Sequence, residues 1–185
     1  MIRGLLLCGG RSTRFGSDKL PLLAPQSAHN LIAGTGNALA VIAPGAMELR
    51  RLLKDAGCAI LETEATRGGM GASLAAGVAA SADAAGWIVA LGDMPYIRPA
   101  TIAAVRARLE AGAPIAAPKL AATGQRGHPV GFSRRHKDEL AALASDEGAR
   151  SVVLRHSDEI VLIEVDDPGI VIDIDRPEDL TPTRS

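Results

Sequence analysis

A loop rich in glycine and basic residues follows the first apolar segment of the chain and has the composition of a phosphate-binding site. Residues 9–19 include three glycines, three cations and one carboxylate. Glycines let backbone amides turn toward an anion, the compact charge of Lys19 suits phosphate oxygens, and Arg14 offers a bidentate fork. The spacing matches neither a Walker A loop nor the dinucleotide-binding G-x-G-x-x-G pattern. Because the loop follows the opening strand, we favour phosphate binding over a solvated basic turn.

A carboxylate at the end of another apolar segment is a candidate metal ligand. Residues 87–91 are apolar and lead into Gly92-Asp93-Met94-Pro95. A hard oxygen ligand that faces a phosphate site is suited to Mg²⁺. The alternative is that Asp93 caps the helix that follows Pro95.

Two further carboxylates lie near the C-terminus, beside residues 170–174, which we predict to be a strand. Asp173 and Asp175 would share one face of that strand, so either or both could complete a metal site with Asp93. We favour Asp175 as the ligand, with Asp173 as the second choice. The alternative for Asp175 is that it caps a helix beginning near Pro177.

The segment Gly69-Met70-Gly71-Ala72-Ser73 leads into a helical pattern that extends to residue 80. Its glycines would let the backbone approach a flat ligand, and Ser73 could hydrogen-bond to a base. The alternatives are that Ser73 caps the helix and that Met70 belongs to the core.

A polar loop at residues 124–130 precedes another strand and contains His128. A single loop histidine is more often structural than catalytic, so we do not interpret His128 as a general base. Residues 146–150 are predicted to open a further helix.

Short apolar segments that do not alternate with polar residues indicate strands covered on both faces. Helical patterns lie between several of them, including residues 46–56 and 99–109. This order predicts an α/β fold of three layers, a mostly parallel sheet with helices on both faces, and ligands at the carboxyl ends of the strands. The predicted strands are residues 2–8, 39–43, 59–61, 87–91, 115–117, 160–165 and 170–174.

Composition limits the classes of partner. The chain has 185 residues, a net charge of -1 and 2% aromatic residues, which disfavours nucleic acid as a partner. No apolar segment approaches the roughly 18 residues of a membrane helix, and the first one is too short for a signal peptide. Cys8 and Cys58 lie in apolar segments and are predicted to be buried free thiols in a reducing cytoplasm. We expect one domain over residues 1–180 and a frayed tail over residues 181–185.

Five motifs that occur in order between residues 5 and 180 together resemble the MobA-like nucleotidyltransferases, particularly the molybdenum cofactor cytidylyltransferases. The motifs are Leu7-Cys8-Gly9-Gly10-Arg11-Ser12-x-Arg14-Phe15-Gly16-x-Asp18-Lys19, Gly69-Met70-Gly71-x-Ser73-Leu74, Leu91-Gly92-Asp93-Met94-Pro95, Arg126-Gly127-His128-Pro129-Val130 and Asp175-Arg176-Pro177-Glu178-Asp179-Leu180.

This resemblance implies a Rossmann-like nucleotide-binding domain that transfers CMP from CTP to the phosphate of molybdopterin cofactor and releases pyrophosphate. Arg14, Lys19 and Asp93 would be catalytic, and Mg²⁺ would be held by Asp93 with Asp175 or Asp173. The implied nucleotide-binding residues are Leu7, Cys8, Gly9, Gly10, Arg11, Gly69, Met70 and Ser73, and the implied acceptor-binding residues are Arg126, Gly127, His128 and Pro129.

Two alternatives stay open. Gly9-Gly10 resembles the guanylyl members, whereas residues 69–74 resemble the cytidylyl members, so GTP is an alternative donor and another phosphorylated molecule an alternative acceptor. A protein that only carries molybdopterin cofactor is an alternative of a different class, although a carrier does not need groups that manage a triphosphate. A molybdoenzyme that receives the product is a candidate protein partner.

Overall fold

The computed structural model describes residues 1–9, 19–144, 146 and 148–174 of the chain. Strands and helices alternate along most of it, as predicted. The strands are β1 (Ile2–Cys8), β2 (Leu39–Ile42), β3 (Ala59–Glu62), β4 (Gly86–Leu91), β5 (Ile115–Leu120), β6 (Val130–Ser133) and β7 (Ile160–Val165). The helices are α1 (Leu20–Thr35), α2 (Met47–Asp55), α3 (Met70–Ala80), α4 (Pro99–Glu110), α5 (Lys137–Ala141) and α6 (Arg150–Arg155).

The described strands form one mostly parallel sheet in the order β3-β2-β1-β4-β6-β5-β7. The β1–β2, β2–β3, β1–β4 and β5–β7 pairs are parallel. β6 runs antiparallel to both of its neighbours, β4 and β5. The carboxyl ends of β1, β2 and β4 therefore meet at one edge, where ligands bind in sheets of this kind.

Alternate strand residues face two separate cores, which is why β2 and β4 contain no polar side chain. Leu6 of β1 and Ile88 of β4 pack with α1, α2 and α4 on one face. Leu5 of β1 and Trp87 of β4 pack with α3, α5 and α6 on the other. The predicted three-layer α/β fold is confirmed.

Helix α1 is absent from the sequence-based prediction. Pro21 lies in its first turn, where a missing N–H costs nothing, and Pro25 lies inside the helix. Packing of Leu23 and Leu31 into the core outweighs the backbone hydrogen bond that Pro25 removes.

The strand predicted at residues 170–174 is wrong. The chain forms a 3₁₀ turn at Pro168–Val171 instead. Asp167 caps this turn by accepting from Gly169 N at 3.2 Å, and Pro168 fixes the first turn position. Ile174 N then donates to the backbone of Asp93 rather than to a neighbouring strand.

Two further expectations concern the cysteines and membrane-spanning segments. Cys8 and Cys58 are buried free thiols, as predicted. Among the described residues, no helix combines the length and the apolar character that crossing a membrane requires.

Candidate active site

The ends of β1 and β4 place Gly9, the first residue of the glycine-rich segment, at the same edge of the sheet as Asp93 of the third motif. Leu7 of β1 lies opposite Leu91 of β4, and Gly92 N donates to Leu7 O at 3.0 Å. Gly9 and Asp93 therefore leave the sheet at the same edge. Adjacent parallel strands bring the two predicted chemical segments together, although they are far apart in the sequence.

Lys19 connects this edge to the C-terminal segment. Its Nζ lies 3.1 Å from Asp93 Oδ2 and donates to Ile174 O at 2.6 Å, while Ile174 N donates to Asp93 O at 3.0 Å. Lys19 is only 7% exposed, so its charge needs a nearby carboxylate. The geometry places a positive and a negative group side by side at the mouth of the sheet.

His128 lies close enough to the same acidic groups to be affected by their charge. Burial lowers the pKa of His128, while Asp93 and Asp173 oppose that shift and Arg126 adds to it. His128 Nδ1 is buried and has no hydrogen-bond partner among the described residues. The predicted acceptor loop, residues 126–129, and two of the predicted metal ligands thus share one electrostatic environment.

Backbone contacts hold the acceptor loop against the chain that precedes Asp173. Gly127 N donates to Pro118 O at 3.0 Å, and His128 N donates to Ile170 O at 2.8 Å. A Cβ atom on Gly127 would lie only 2.1 Å from Ile170 O, so the loop can approach this closely only with glycine. Pro129 is buried behind it, and Arg126 is exposed.

The segments predicted to bind the base also lie together. A Cβ atom on Gly9 would lie 2.8 Å from Ser73 Oγ and 2.9 Å from a methyl carbon of Thr66. Ser73 Oγ donates to Gly69 O at 2.9 Å from inside the first turn of α3. The alternative that Ser73 caps this helix is therefore wrong, since Gly69 occupies the capping position.

Asp146 reaches the start of α3, a contact that the sequence analysis missed. Its Oδ1 accepts from Met70 N at 3.2 Å, and Gly69 adopts φ +93° directly beneath it. Of the segment predicted to open a further helix, Arg150 is the residue at which α6 begins. Asp146 and Met70 are 76 positions apart in the sequence, so no local pattern could have revealed the pair.

Asp167 takes the helix-capping role that was the alternative for Asp93. Its buried carboxylate accepts from Arg98 N at 2.9 Å and from Thr101 Oγ1 at 2.6 Å, at the start of α4. Helix α4 begins at Pro99, beyond the turn that contains Asp93. The carboxylate of Asp93 is thereby left for the site.

The other predicted residues divide into three groups. Leu7 and Cys8 are buried within β1, so only their backbone is available to a ligand. Met70 is 38% exposed, and the alternative that it belongs to the core is wrong. Gly10, Arg11, Arg14 and Asp175 lie outside the described residues.

Carboxylate oxygens at this edge fit a hard divalent cation. Asp93 is partly exposed and Asp173 is exposed, so both can reach a ligand at the surface of the site. Ile174, the residue after Asp173, donates its N–H to Asp93 O at 3.0 Å, so the two carboxylates lie on adjoining segments. Mg²⁺ is suited to one or two such carboxylates together with phosphate oxygens.

A family model described as the MobA-like NTP transferase domain matches residues 4–160. The chain belongs to this family. The matched segment includes Gly9, Lys19, Asp93 and His128, the described groups that the fold gathers at one edge. Membership makes the protein a nucleotidyltransferase by family.

Solved structures agree with this assignment. Rv0371c from Mycobacterium tuberculosis H37Rv is 26% identical with a TM-score of 0.81, and the match covers 97% of this chain and 95% of that chain. The same protein in complex with manganese is 25% identical with a TM-score of 0.75, covering 97% and 95%. Molybdopterin-guanine dinucleotide biosynthesis protein A from Archaeoglobus fulgidus, at 17% identity and a TM-score of 0.66 over 96% and 94%, shares the fold. No curated protein matches the chain in sequence.

Proposed function

We propose that this MobA-like protein transfers CMP from CTP to the terminal phosphate of molybdopterin cofactor and releases pyrophosphate. The observation that carries the proposal is the ion pair of Lys19 and Asp93, 3.1 Å apart at the carboxyl edge of the sheet. This edge also contains Gly9 and the loop of residues 126–129 that is predicted to bind the acceptor. We place the reaction in the cytoplasm, with a molybdoenzyme as the recipient of the product.

The main barrier to this reaction is electrostatic, because an anionic phosphate must approach an anionic triphosphate. Two unit charges 4 Å apart repel each other by about 4 kcal/mol at an effective dielectric constant near 20. Lys19 supplies positive charge at the edge, and Arg14 is proposed to add a bidentate contact to the triphosphate. These cations would favour both the approach of the acceptor and the departure of pyrophosphate.

Asp93 is proposed to hold Mg²⁺ together with Asp175 or Asp173. When bound, the metal would neutralise charge on the phosphates as the leaving group departs. Support comes from the proximity of Asp93 and Asp173 to His128 and from the manganese complex of Rv0371c. Lys19 orients the Asp93 carboxylate and compensates its charge before substrates bind.

The bond changes need no general base. An oxygen of the acceptor phosphate, already ionised, forms a bond to the α-phosphorus of CTP. The bond between that phosphorus and the oxygen that bridges to the β-phosphate breaks, and pyrophosphate takes the electron pair. The protein orients the two phosphates and stabilises the leaving group, so positioning and charge account for the catalysis.

The base is proposed to bind between the end of β1 and the start of α3. Gly9 packs close to Ser73 and Thr66 there, which leaves backbone groups and the Ser73 hydroxyl to contact a base edge. The backbone of Leu7 and Cys8, with Gly10, Arg11, Gly69 and Met70, completes the proposed nucleotide site. Resemblance of residues 69–74 to cytidylyl members favours CTP over GTP.

The acceptor is proposed to bind at Arg126, Gly127, His128 and Pro129. The exposed guanidinium of Arg126 suits a phosphate, and the buried Nδ1 of His128 needs a polar partner. The neighbour from Archaeoglobus fulgidus is named for molybdopterin-guanine dinucleotide biosynthesis. We propose that this chain likewise uses a molybdopterin acceptor.

The decisive experiment measures pyrophosphate release with CTP, GTP, ATP and UTP, each with and without molybdopterin cofactor. We expect pyrophosphate release with CTP, and not with the other three nucleotides. This release should require the cofactor. Release with GTP instead would assign the protein to guanylyl transfer. Tight binding of the cofactor without release from any nucleotide would support the carrier and reject the transferase.

A further inference from the structure

A second group of metal-ligand side chains lies on the α5 and α6 side of the sheet, apart from the nucleotidyl-transfer site. His136, Glu139 and His156 each offer one ligand atom, and these atoms all lie within 4.8 Å of one another. We propose that these three residues bind a transition-metal ion of the Zn²⁺ class, which fastens α5 to the chain that follows α6. The proposal does not depend on the transferase activity.

Distances within the cluster suit a small tetrahedral ion. Glu139 Oε1 lies 3.8 Å from His136 Nδ1 and 2.8 Å from His156 Nε2. Zinc binds imidazole nitrogen and carboxylate oxygen at about 2.0–2.2 Å, which places neighbouring ligand atoms about 3.3 Å apart. The two observed distances lie on either side of that value, so small side-chain movements would bring the three ligand atoms to zinc distance, and a water molecule would take the fourth position.

Local helix geometry explains two of the three ligands. His136 ends the 3₁₀ turn Arg134–His136, and Glu139 lies three residues later in α5, so their side chains share one face. His156 follows the last residue of α6. The imidazole rings of His136 and His156 stand edge to face with centroids 4.7 Å apart.

His136 is a buried imidazole that lacks adequate partners. The residue is 1% exposed, and its Nε2 has no hydrogen-bond partner among the described residues. Its Nδ1 lies 3.8 Å from Glu139 Oε1, too far for a hydrogen bond. Burial first, and then the charges of His156 and Arg135, lower the pKa of His136, while Glu139 and Glu159 oppose that shift; the lowered pKa favours the neutral imidazole, the form that binds a metal.

His156 is oriented by a second carboxylate. Its Nδ1 lies 3.4 Å from Glu159 Oε1, while its Nε2 faces Glu139 Oε1. A carboxylate behind the far nitrogen of a metal-binding histidine is the usual arrangement that fixes its tautomer.

Two guanidinium groups flank the cluster without occupying its centre. Arg155 pairs with Glu139 Oε2, and Arg135 Nη2 lies 3.1 Å from Glu159 Oε2. These contacts leave the other oxygen of Glu139 directed toward the two imidazoles. The arginines orient both carboxylates and offset part of their charge.

Metal binding at this place would affect the segment between α5 and α6. That segment contains Asp146, whose carboxylate accepts from Met70 N at the start of α3. An ion held by His136, Glu139 and His156 would join α5, which precedes this segment, to the residue that follows α6. The metal therefore acts as a structural clip behind one wall of the nucleotide site.

The test uses the full chain with Asp93→Asn, which weakens the proposed magnesium site. After treatment with a chelator, Zn²⁺ is titrated by calorimetry, Co²⁺ is added to record the visible absorption of tetrahedral cobalt, and thermal unfolding is measured with and without Zn²⁺. We expect one equivalent of Zn²⁺, a tetrahedral Co²⁺ spectrum and a higher melting temperature with metal.

Matched variants in the same background complete the test. His156→Ala and the nearly isosteric Glu139→Gln should each lose these three signals, whereas His29→Ala, which removes an exposed histidine from α1, should keep them. Circular dichroism without metal establishes that the variants are folded. Absence of Zn²⁺ binding to the Asp93→Asn protein, or unchanged binding in folded Glu139→Gln, would overturn the proposal.

Discussion

The Nζ atom of Lys19 lies 3.1 Å from Oδ2 of Asp93, at the point where the first glycine loop enters α1. The ammonium group is nearly buried and also donates to Ile174 O. Removing the Asp93 carboxylate would therefore take away a proposed metal ligand and also a carboxylate that pairs with a nearly buried cation. Activity and stability must be measured separately at this position.

Replacement of Asp93 should have a larger effect on kcat than on the melting temperature. We expect Asp93→Ala to lower kcat by about 10²-fold or more, the effect of removing a strong electrostatic stabiliser. Asp93→Asn keeps an oxygen for Lys19 and should lose similar activity with a smaller fall in melting temperature. Pyrophosphate release over a range of Mg²⁺ concentrations measures the first effect.

Asp83 is the control, since its exposed side chain lies in the turn before β4, the strand that leads to Asp93. Asp83→Ala should retain wild-type turnover. Near-normal kcat and an unchanged Mg²⁺ response in Asp93→Ala would reject the assigned role.

Asp146 should stabilise α3, because its side chain caps the start of that helix from a distant part of the sequence. Asp146→Ala removes the acceptor for Met70 N, and loss of a helix cap costs about 1 kcal/mol. For a chain of this size, the melting temperature should fall by about 2–4 °C. Since α3 begins at the proposed base site, KM for the nucleotide should rise with little change in kcat.

Asp158→Ala removes another exposed acidic side chain, just after α6. It should change neither the melting temperature nor KM for the nucleotide. Equal melting temperatures for Asp146→Ala and Asp158→Ala would show that the contact with Met70 contributes nothing.

Asp167 should be among the most sensitive carboxylates for folding. Its side chain is 3% exposed and accepts from Arg98 N, Thr101 Oγ1 and Gly169 N. Asp167→Ala leaves these donors without their acceptor, and we expect the free energy of unfolding to fall by about 3 kcal/mol. Urea denaturation measures this loss.

The neighbouring Asp166 provides a matched comparison because its side chain is exposed. Asp166→Ala should remain within about 0.5 kcal/mol of the wild type. A similar loss in both variants would mean that the buried hydrogen bonds of Asp167 are not the cause.

Cys58 should make stability depend on alkaline pH. Burial raises the pKa of its thiol from 9.0 to about 11, so the folded chain retains a proton that the unfolded chain releases. This contribution is fully present below about pH 9 and is lost as the pH rises toward 11. The wild type should therefore lose stability over this interval more steeply than Cys58→Ala.

The measurement is the free energy of unfolding in urea at several pH values across that interval. Other groups titrate there too, so the difference in slope between the two proteins is the relevant quantity. Parallel slopes would contradict the assignment to Cys58.

The amino-acid sequence by itself determined the α/β class and the segments that carry the chemistry. Unbroken apolar segments such as residues 2–8 are typical of strands buried on both faces, and the glycine-rich motifs mark the loops that follow them. Both signals are local, because they depend on residue type and short spacing. The family motifs around Lys19 and Asp93 could be recognised in the sequence for the same reason.

Only the tertiary structure decided which of these groups meet. Asp167, rather than Asp93, caps α4, and residues 170–174 form no strand because Ile174 bonds to the turn that contains Asp93. Asp146 reaches Met70, and His136 reaches His156, across intervals that no short-range pattern spans. Such pairings are set by how helices pack on the sheet, and packing depends on the whole chain at once.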